Sequence, residues 1–178
     1  MAAICVFCAS SQTLDQRWLD LATEVGAALA GRGHVLVSGG GRAGMMGAVA
    51  AGARAAGGHT VGIIPQSLVD REIADTNSSE LVVTDGLASR KNLMIEKSDA
   101  FLTLPGGIGT LDELFEVWTT AMLRAHHKPV VVFDTDGFYT GLLTWLQTLP
   151  PGGFVRREAF DLLTVVDTVD AAIAALPR

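Results

Sequence analysis

The chain has 178 residues, of which 49% are hydrophobic and 18% charged, and its formal net charge at pH 7 is −6. This composition excludes a disordered chain, because enough apolar surface is present to offset the conformational entropy lost on folding. The acidic balance argues against a nucleic-acid partner, which needs clustered Lys and Arg, and no apolar run reaches the ~18 residues that would span a membrane.

Short apolar runs alternate with longer helical patterns along the whole chain. Consecutive apolar side chains in several runs indicate strands buried on both faces, as in a parallel sheet. The alternation predicts one domain over residues 1–178, of the α/β class, with a doubly wound, mainly parallel sheet and helices on both faces. The predicted strands are Ala3–Cys8, His34–Ser38, Thr60–Ile64, Leu81–Thr84, Ala100–Leu104, Pro129–Phe133 and Leu162–Val166. The predicted helices are Leu14–Arg32, Ala43–Ala56, Leu87–Lys97, Leu111–Ala125, Phe138–Thr148 and Thr168–Leu176.

The two cysteines, Cys5 and Cys8, form a C-x-x-C pattern inside the first predicted strand. Residues three apart on a strand point to opposite faces, so we expect two core thiols and not a redox pair. No metal-ligand spacing is present elsewhere. The N-terminus lacks the basic region that precedes the apolar stretch of a signal peptide. We therefore expect a cytoplasmic protein with reduced cysteines and no metal.

Glycines cluster after two of the predicted strands, where ligands bind in an open parallel sheet. The first cluster is Gly39-x-Gly41-x-x-Gly44, which matches the dinucleotide fingerprint and opens a helix. No acidic residue ends the next strand at Ile64-Pro65, as an NAD-dependent oxidoreductase would need for the ribose. The loop is therefore a candidate site for a phosphate or its ribose, and a tight strand–helix turn remains the alternative. The candidate residues of this loop and of the neighbouring first-strand end are Ser10, Gly39, Gly40 and Gly41.

The second cluster runs from Pro105 to Glu113, with the sequence Pro-Gly-Gly-Ile-Gly-Thr-Leu-Asp-Glu. Thr110 and Glu113 have the spacing of a helix capping box, which is the alternative to a ligand site. A capping box does not account for the glycines, whereas a backbone that approaches a phosphate does. The pattern favours an anion site beside a carboxylate directed at the sugar.

Arg90 lies at the centre of the apolar face of its predicted helix, together with Leu93 and Met94. A buried guanidinium needs a partner, which is a structural carboxylate, a phosphate or Glu113. Lys91 points about 100° away and has the pattern of a surface lysine. Arg71 and Glu72 have the pattern of an exposed loop pair.

At these residues the chain resembles the Lonely Guy family of cytokinin riboside 5′-monophosphate phosphoribohydrolases, which are often mislabelled as lysine decarboxylases. The family motif Pro-Gly-Gly-x-Gly-Thr-x-x-Glu is matched from Pro105 to Glu113, and Arg-Lys-x-x-Met is matched by Arg90, Lys91 and Met94. The resemblance implies a homodimeric, Rossmann-like N-glycosidase without a metal or organic cofactor. It would release the free base and ribose 5-phosphate from N6-prenylated adenosine 5′-monophosphates, and AMP is a further candidate substrate.

The resemblance also implies roles for individual residues. Arg90 and Glu113 match the family's catalytic pair. The implied substrate contacts, which include that pair, are Glu72, Arg90, Lys91, Gly107, Ile108, Gly109, Thr110, Leu111, Asp112, Glu113 and Thr119. Two other classes compete with this hypothesis: a non-catalytic nucleotide carrier and a pyridine-nucleotide oxidoreductase. Decarboxylation through pyridoxal phosphate is rejected, because none of the three lysines lies in a recognisable cofactor site.

Overall fold

A twisted sheet of parallel strands forms the centre of the molecule, as predicted. The computed structural model describes residues 1–71 and 73–178, and within these residues the sheet has seven strands in the order β4-β3-β2-β1-β5-β6-β7. Each neighbouring pair is parallel. The strands are β1 Ala3–Phe7, β2 Val35–Ser38, β3 Thr60–Pro65, β4 Glu80–Thr84, β5 Ala100–Thr103, β6 Val130–Phe133 and β7 Leu163–Val166. Glu72, a candidate substrate contact, lies outside the described residues.

Helices cover both faces of this sheet, which confirms the doubly wound α/β fold. In the described part of the chain they are α1 Gln16–Gly31, α2 Gly44–Ala55, α3 Gln66–Val69, α4 Leu87–Glu96, α5 Ile108–Met122, α6 Thr140–Leu146 and α7 Val169–Ala174. Apolar side chains of α1, α2 and α7 form one core layer, and those of α4, α5 and α6 contribute to the other. None of the described helices is both long enough and apolar enough to cross a membrane.

Strand β1 shows how the sequence pattern produces the two core layers. Ile4, Val6 and Cys8 pack into the layer beneath α1 and α2, whereas Cys5 and Phe7 pack into the layer beneath α4 and α5. Both cysteines are buried and free, and burial raises the pKa of both thiols. The expectation of two core thiols on opposite faces is confirmed.

Helices α1 and α2 approach each other so closely that their contact requires glycine. A Cβ atom added at Gly26 of α1 would overlap the carbonyl oxygen of Val49, and one added at Gly52 of α2 would overlap that of Thr23. Gly31, at the end of α1, has no such neighbour. The contact holds α2 against the core, and α2 begins at the end of the first glycine loop.

The helix contact can be tested with one substitution and a matched control. We expect Gly26→Ala to lower the free energy of unfolding by about 1–3 kcal/mol, because the methyl group overpacks a backbone contact. Gly31→Ala should leave it unchanged or raise it by up to ~1 kcal/mol, because alanine favours the helix. Urea unfolding followed by circular dichroism measures both values, and equal stability of the two variants would contradict the proposed contact.

Candidate active site

The strand order reverses between β1 and β5, and a cleft opens at the carboxyl ends of these strands. Such a switch point is where open α/β sheets bind ligands. The backbone N–H of Ala9, after β1, donates to the carbonyl of Pro105, after β5, at 3.2 Å. The cleft above this junction has a volume of about 590 Å³ and is lined by both glycine clusters, by the β1 end with Ser10, and by part of α4 and α5.

Arg90 and Glu113 meet at the floor of this cleft. Arg90 projects from α4, and Glu113 lies in the second turn of α5. Their side chains are only 12% and 11% exposed, and Nη2 of Arg90 lies 3.7 Å from Oε1 of Glu113. The guanidinium is also held by a hydrogen bond from its Nε to the carbonyl of Ile63, at 3.1 Å. The charged partner that the sequence required for Arg90 is therefore Glu113.

Burial gives Glu113 a pKa of about 7, well above its ordinary value of 4.5. Desolvation is the largest cause of this raised pKa. The positive charges of Arg90 and, less strongly, Lys91 lower the pKa, whereas the negative charges of Asp112 and, less strongly, Glu116 raise it further. A carboxyl group with this pKa is present in both protonation states near neutral pH, which suits proton exchange with a reacting group. Strongly shifted carboxyl groups in clefts are characteristic of functional sites.

Gly39 makes room for the guanidinium of Arg90. A Cβ atom at Gly39 would overlap Nη2 of Arg90, so no larger residue fits there while Arg90 keeps this position. Gly39 and Gly41 line the cleft, whereas Gly40, with φ +72°, packs against Ile63 and Ile64 of β3. Gly39 and Gly40 thus meet close contacts inside the protein itself, a requirement that the sequence pattern could not reveal.

Lys91 connects α4 to α5 through two carboxylates. Its Nζ lies 2.9 Å from Oδ2 of Asp112 and also forms an ion pair with Glu116. Hydrogen bonds to Glu116 and then to Asp112 raise the pKa of Lys91. Lys91, whose position in the sequence has the pattern of a surface lysine, is thus partly exposed and paired with two carboxylates. Glu116 was missed by the sequence reasoning, although it lies four residues after Asp112 and so faces the same side of the helix.

The second glycine cluster forms the start of α5, and the capping box, which was the alternative to a ligand site, is absent. The helix begins at Ile108, three residues earlier than predicted, with Gly107 at the N-cap and no side-chain cap. Thr110 is buried and lies inside the helix. The first helical N–H groups have no partner within the helix, and nothing lies within 4 Å of a Cβ atom placed at Gly107 or Gly109. The open helix end therefore faces the cleft.

The remaining candidate residues divide into those in the cleft and those outside it. Ser10, Lys91, Gly107, Gly109, Thr110 and Asp112 line it together with the catalytic candidates. Ile108 is 86% exposed, Leu111 packs into the core layer, and Thr119 lies on the exposed side of α5. Among the described residues, no three His, Cys, Asp or Glu side chains are grouped so as to hold a metal ion.

Fold and site together define a Rossmann-like α/β protein with a buried carboxyl group of raised pKa in a cleft at its switch point. A family model described as "possible lysine decarboxylase" matches residues 46–176. A cytokinin riboside 5′-monophosphate phosphoribohydrolase of Mycobacterium tuberculosis is 52% identical over 172 residues, which cover 97% of this chain and 91% of the relative. The chain therefore belongs to the Lonely Guy family of cytokinin riboside 5′-monophosphate phosphoribohydrolases, as its motifs suggested.

More distant proteins share the same architecture. A cytokinin riboside 5′-monophosphate phosphoribohydrolase of Arabidopsis thaliana is 39% identical over 173 residues, with 97% of this chain and 80% of the relative covered. The solved molybdenum cofactor carrier protein of Chlamydomonas reinhardtii is 27% identical, with a TM-score of 0.74 over 98% of this chain and 94% of that one. The fold therefore occurs in proteins whose names describe an enzyme and in one whose name describes a carrier.

The raised pKa of Glu113 predicts a specific dependence of stability on pH. The unfolded carboxyl has the ordinary pKa of 4.5 and the folded one about 7, so the folded state binds the proton more tightly. Glu113 therefore destabilises the fold progressively as the pH rises between these values, by at most ~3 kcal/mol. Glu113→Gln removes this penalty, so its free energy of unfolding should increase relative to that of the wild type as the pH rises through this range.

Urea unfolding at a series of pH values measures the difference. Glu96→Gln, which removes an exposed carboxylate from α4, is the matched control and should show no such change. A constant difference between the free energies of unfolding of the wild type and Glu113→Gln from about pH 4.5 to about pH 8 would show that the Glu113 carboxyl has an ordinary pKa.

Proposed function

We propose that this protein hydrolyses the N-glycosidic bond of N6-modified adenosine 5′-monophosphates and releases the free base and ribose 5-phosphate. The observation that carries the proposal is the buried Glu113 carboxyl, paired with Arg90 on the floor of a switch-point cleft. Water supplies a hydroxyl group to C1′ of the ribose and a proton to the departing base. The family membership of the chain supports this reaction.

The 5′-phosphate is proposed to bind at the start of α5. The free N–H groups of a helix N-terminus attract anions, and Gly107 and Gly109 leave open space beside them. A phosphate held there fixes the ribose close to Glu113, which lies within the next turn of the same helix. Positioning of this kind lowers the entropic part of the barrier.

Glu113 is proposed to act on the ribose. Cleavage of a glycosidic bond builds positive charge on the sugar, which a nearby carboxylate stabilises. With a pKa of about 7, the same group is also able to accept a proton from the attacking water. Arg90 holds the carboxyl in place and faces the cleft, so it is also positioned to contact the ribose hydroxyls.

Apolar side chains also line the cleft, which suits the base and an N6 substituent. They are Met46, Ile64, Leu68, Ile73 and Leu87. Burial of an apolar substituent is favourable by about 25 cal/mol for each Å² removed from water. The proposed substrate contacts are those that the family motifs imply, including Glu72, Lys91 and the start of α5. Lys91 would contact the substrate while it remains paired with Asp112 and Glu116.

Replacement of Glu113 tests the reaction directly. Glu113→Gln should lower the rate of base release by about 10²-fold or more, the scale of a lost acid–base group. Nucleotide binding should persist, because the helix N-terminus is unchanged. Free base is measured by chromatography after incubation with AMP and with a prenylated AMP, and binding by calorimetry. Glu96→Gln serves as the control, and full activity of Glu113→Gln would refute the assignment.

A nucleotide carrier is the second candidate function, favoured by the similarity to the molybdenum cofactor carrier. The same assay separates the two, because a carrier binds the nucleotide and releases no base at any protein concentration. The 52% identity to a phosphoribohydrolase, against 27% to the carrier, favours hydrolysis.

The protein is further proposed to be a homodimer that associates through the exposed side of α5. Ile108, Met122 and the following Leu123 are 86%, 42% and 72% exposed. Ile108 and Met122 are two heptads apart, so they lie on the same side of the helix. Thr119, a proposed substrate contact, lies on this exposed side about 15 Å along α5 from Gly109, at ~1.5 Å per residue. If a second copy packs here, Thr119 of one copy lies towards the cleft of the other copy.

Association can be tested by changing one exposed side chain. We expect wild-type protein to sediment at about twice the 18.6 kDa of one chain, and Leu123→Glu to sediment as a monomer because a buried charge opposes association. Val165→Glu, at a half-exposed position on the β7 edge, is the control and should stay dimeric. A monomeric wild type would exclude the dimer.

A further inference from the structure

The glycine loop that begins α5 is attached to a buried tyrosine outside the motifs. The hydroxyl of Tyr139 donates a hydrogen bond of 2.8 Å to the carbonyl of Leu104, the residue immediately before Pro105. Tyr139 is 2% exposed and Leu104 is fully buried. Burial raises the pKa of Tyr139, so the hydroxyl keeps its proton and remains a donor at physiological pH.

Tyr139 is itself fixed from the end of the next strand. It is the N-cap residue of α6, and its backbone N–H donates to the carboxylate of Asp134, the residue that follows β6. The same carboxylate accepts a hydrogen bond from Oγ1 of Thr140 at 2.7 Å. The backbone N–H of Asp134 donates to the carbonyl of Val166 at 2.7 Å, which connects it to β7. The chain of contacts therefore runs from β7 through β6 and α6 to the loop.

On the other side of the loop, the connections lead to β1. The backbone N–H of Leu104 donates to the carbonyl of Phe7 at 2.9 Å, and the carbonyl of Pro105 accepts from Ala9. No heavy atom lies within 4 Å of a Cβ atom placed at Gly107 or Gly109, whereas one placed at Gly106 would overlap Thr110. Leu104 and Pro105 thus anchor the entry to the loop, and the Tyr139 hydroxyl holds one of them.

We propose that Tyr139 is a positioning residue for the reaction: its hydroxyl sets the place of Leu104 and thereby aims the N-terminus of α5 at the anionic group of the substrate. The inference rests on the proposed function, in which this helix end holds the 5′-phosphate. Tyr139 does not line the cleft, so it acts through the loop and not on the substrate.

The test is Tyr139→Phe, which keeps the ring and removes the hydroxyl. The lost bond leaves the Leu104 carbonyl buried without this partner, so the loop should open more readily. Amide hydrogen exchange in unliganded protein should then become about tenfold faster than in the wild type at Leu104 and Leu111, whose N–H groups donate to the carbonyls of Phe7 and Gly107, an effect comparable with the loss of one hydrogen bond. Calorimetry should show binding of ribose 5-phosphate weakened by about tenfold, and binding of adenosine, which lacks the phosphate, changed less than twofold.

Trp118→Phe is the matched control, because Nε1 of Trp118 also donates a buried hydrogen bond of 2.8 Å to a backbone carbonyl, that of Ala159. It should lower stability without changing exchange at Leu104 and Leu111 or ribose 5-phosphate binding. Unchanged exchange or unchanged binding in Tyr139→Phe overturns the inference, as does an equal effect in both variants. If the wild type binds no ribose 5-phosphate, the proposed phosphate site fails, whereas the exchange measurement still reports whether Tyr139 holds the loop.

Discussion

Burial of a carboxyl group against a guanidinium is the constraint around which this site is built. Glu113 and Arg90 come from different helices and meet at 3.7 Å with little solvent around either. The pair exists only if α4 and α5 stay in register, which Lys91 secures through Asp112 and Glu116. It also needs space for the guanidinium, which Gly39 provides. A parallel sheet with its switch point between β1 and β5 brings these parts to one edge.

The same burial opposes stability. An isolated carboxyl would ionise at its ordinary pKa, whereas Glu113 holds its proton up to about pH 7 because the charged form is poorly solvated. The folded protein retains this unfavourable group because the remainder of the sheet and both core layers stabilise the fold independently. The function proposed for Glu113 and the stability of the fold therefore make opposite demands on this residue, as is common at active sites.

Much of the fold could be predicted because its signals are local. Each of the seven strands was found from a short apolar run, and Arg90 was singled out because it lies among apolar residues at helical spacing. The start of α5 was misplaced because Gly107 and Gly109 lower helix propensity, whereas the helix begins at Ile108. The partners of Lys91 and the contact between Gly39 and Arg90 could not be read from the sequence. They join residues 21 to 51 positions apart, and no local pattern encodes which of them meet.

The space at Gly39 has a consequence for how this site can change. Because the missing side chain is replaced by the guanidinium of Arg90, the two positions behave as one unit under mutation. A larger residue at position 39 requires the guanidinium of Arg90 to move from its place beside Glu113, and a shorter residue at position 90 leaves a gap that position 39 is then free to fill. The order of substitutions matters, since a first step at position 39 displaces the guanidinium, whereas a first step at position 90 leaves only a gap. The geometry that builds the site thus also restricts the mutational paths leading away from it.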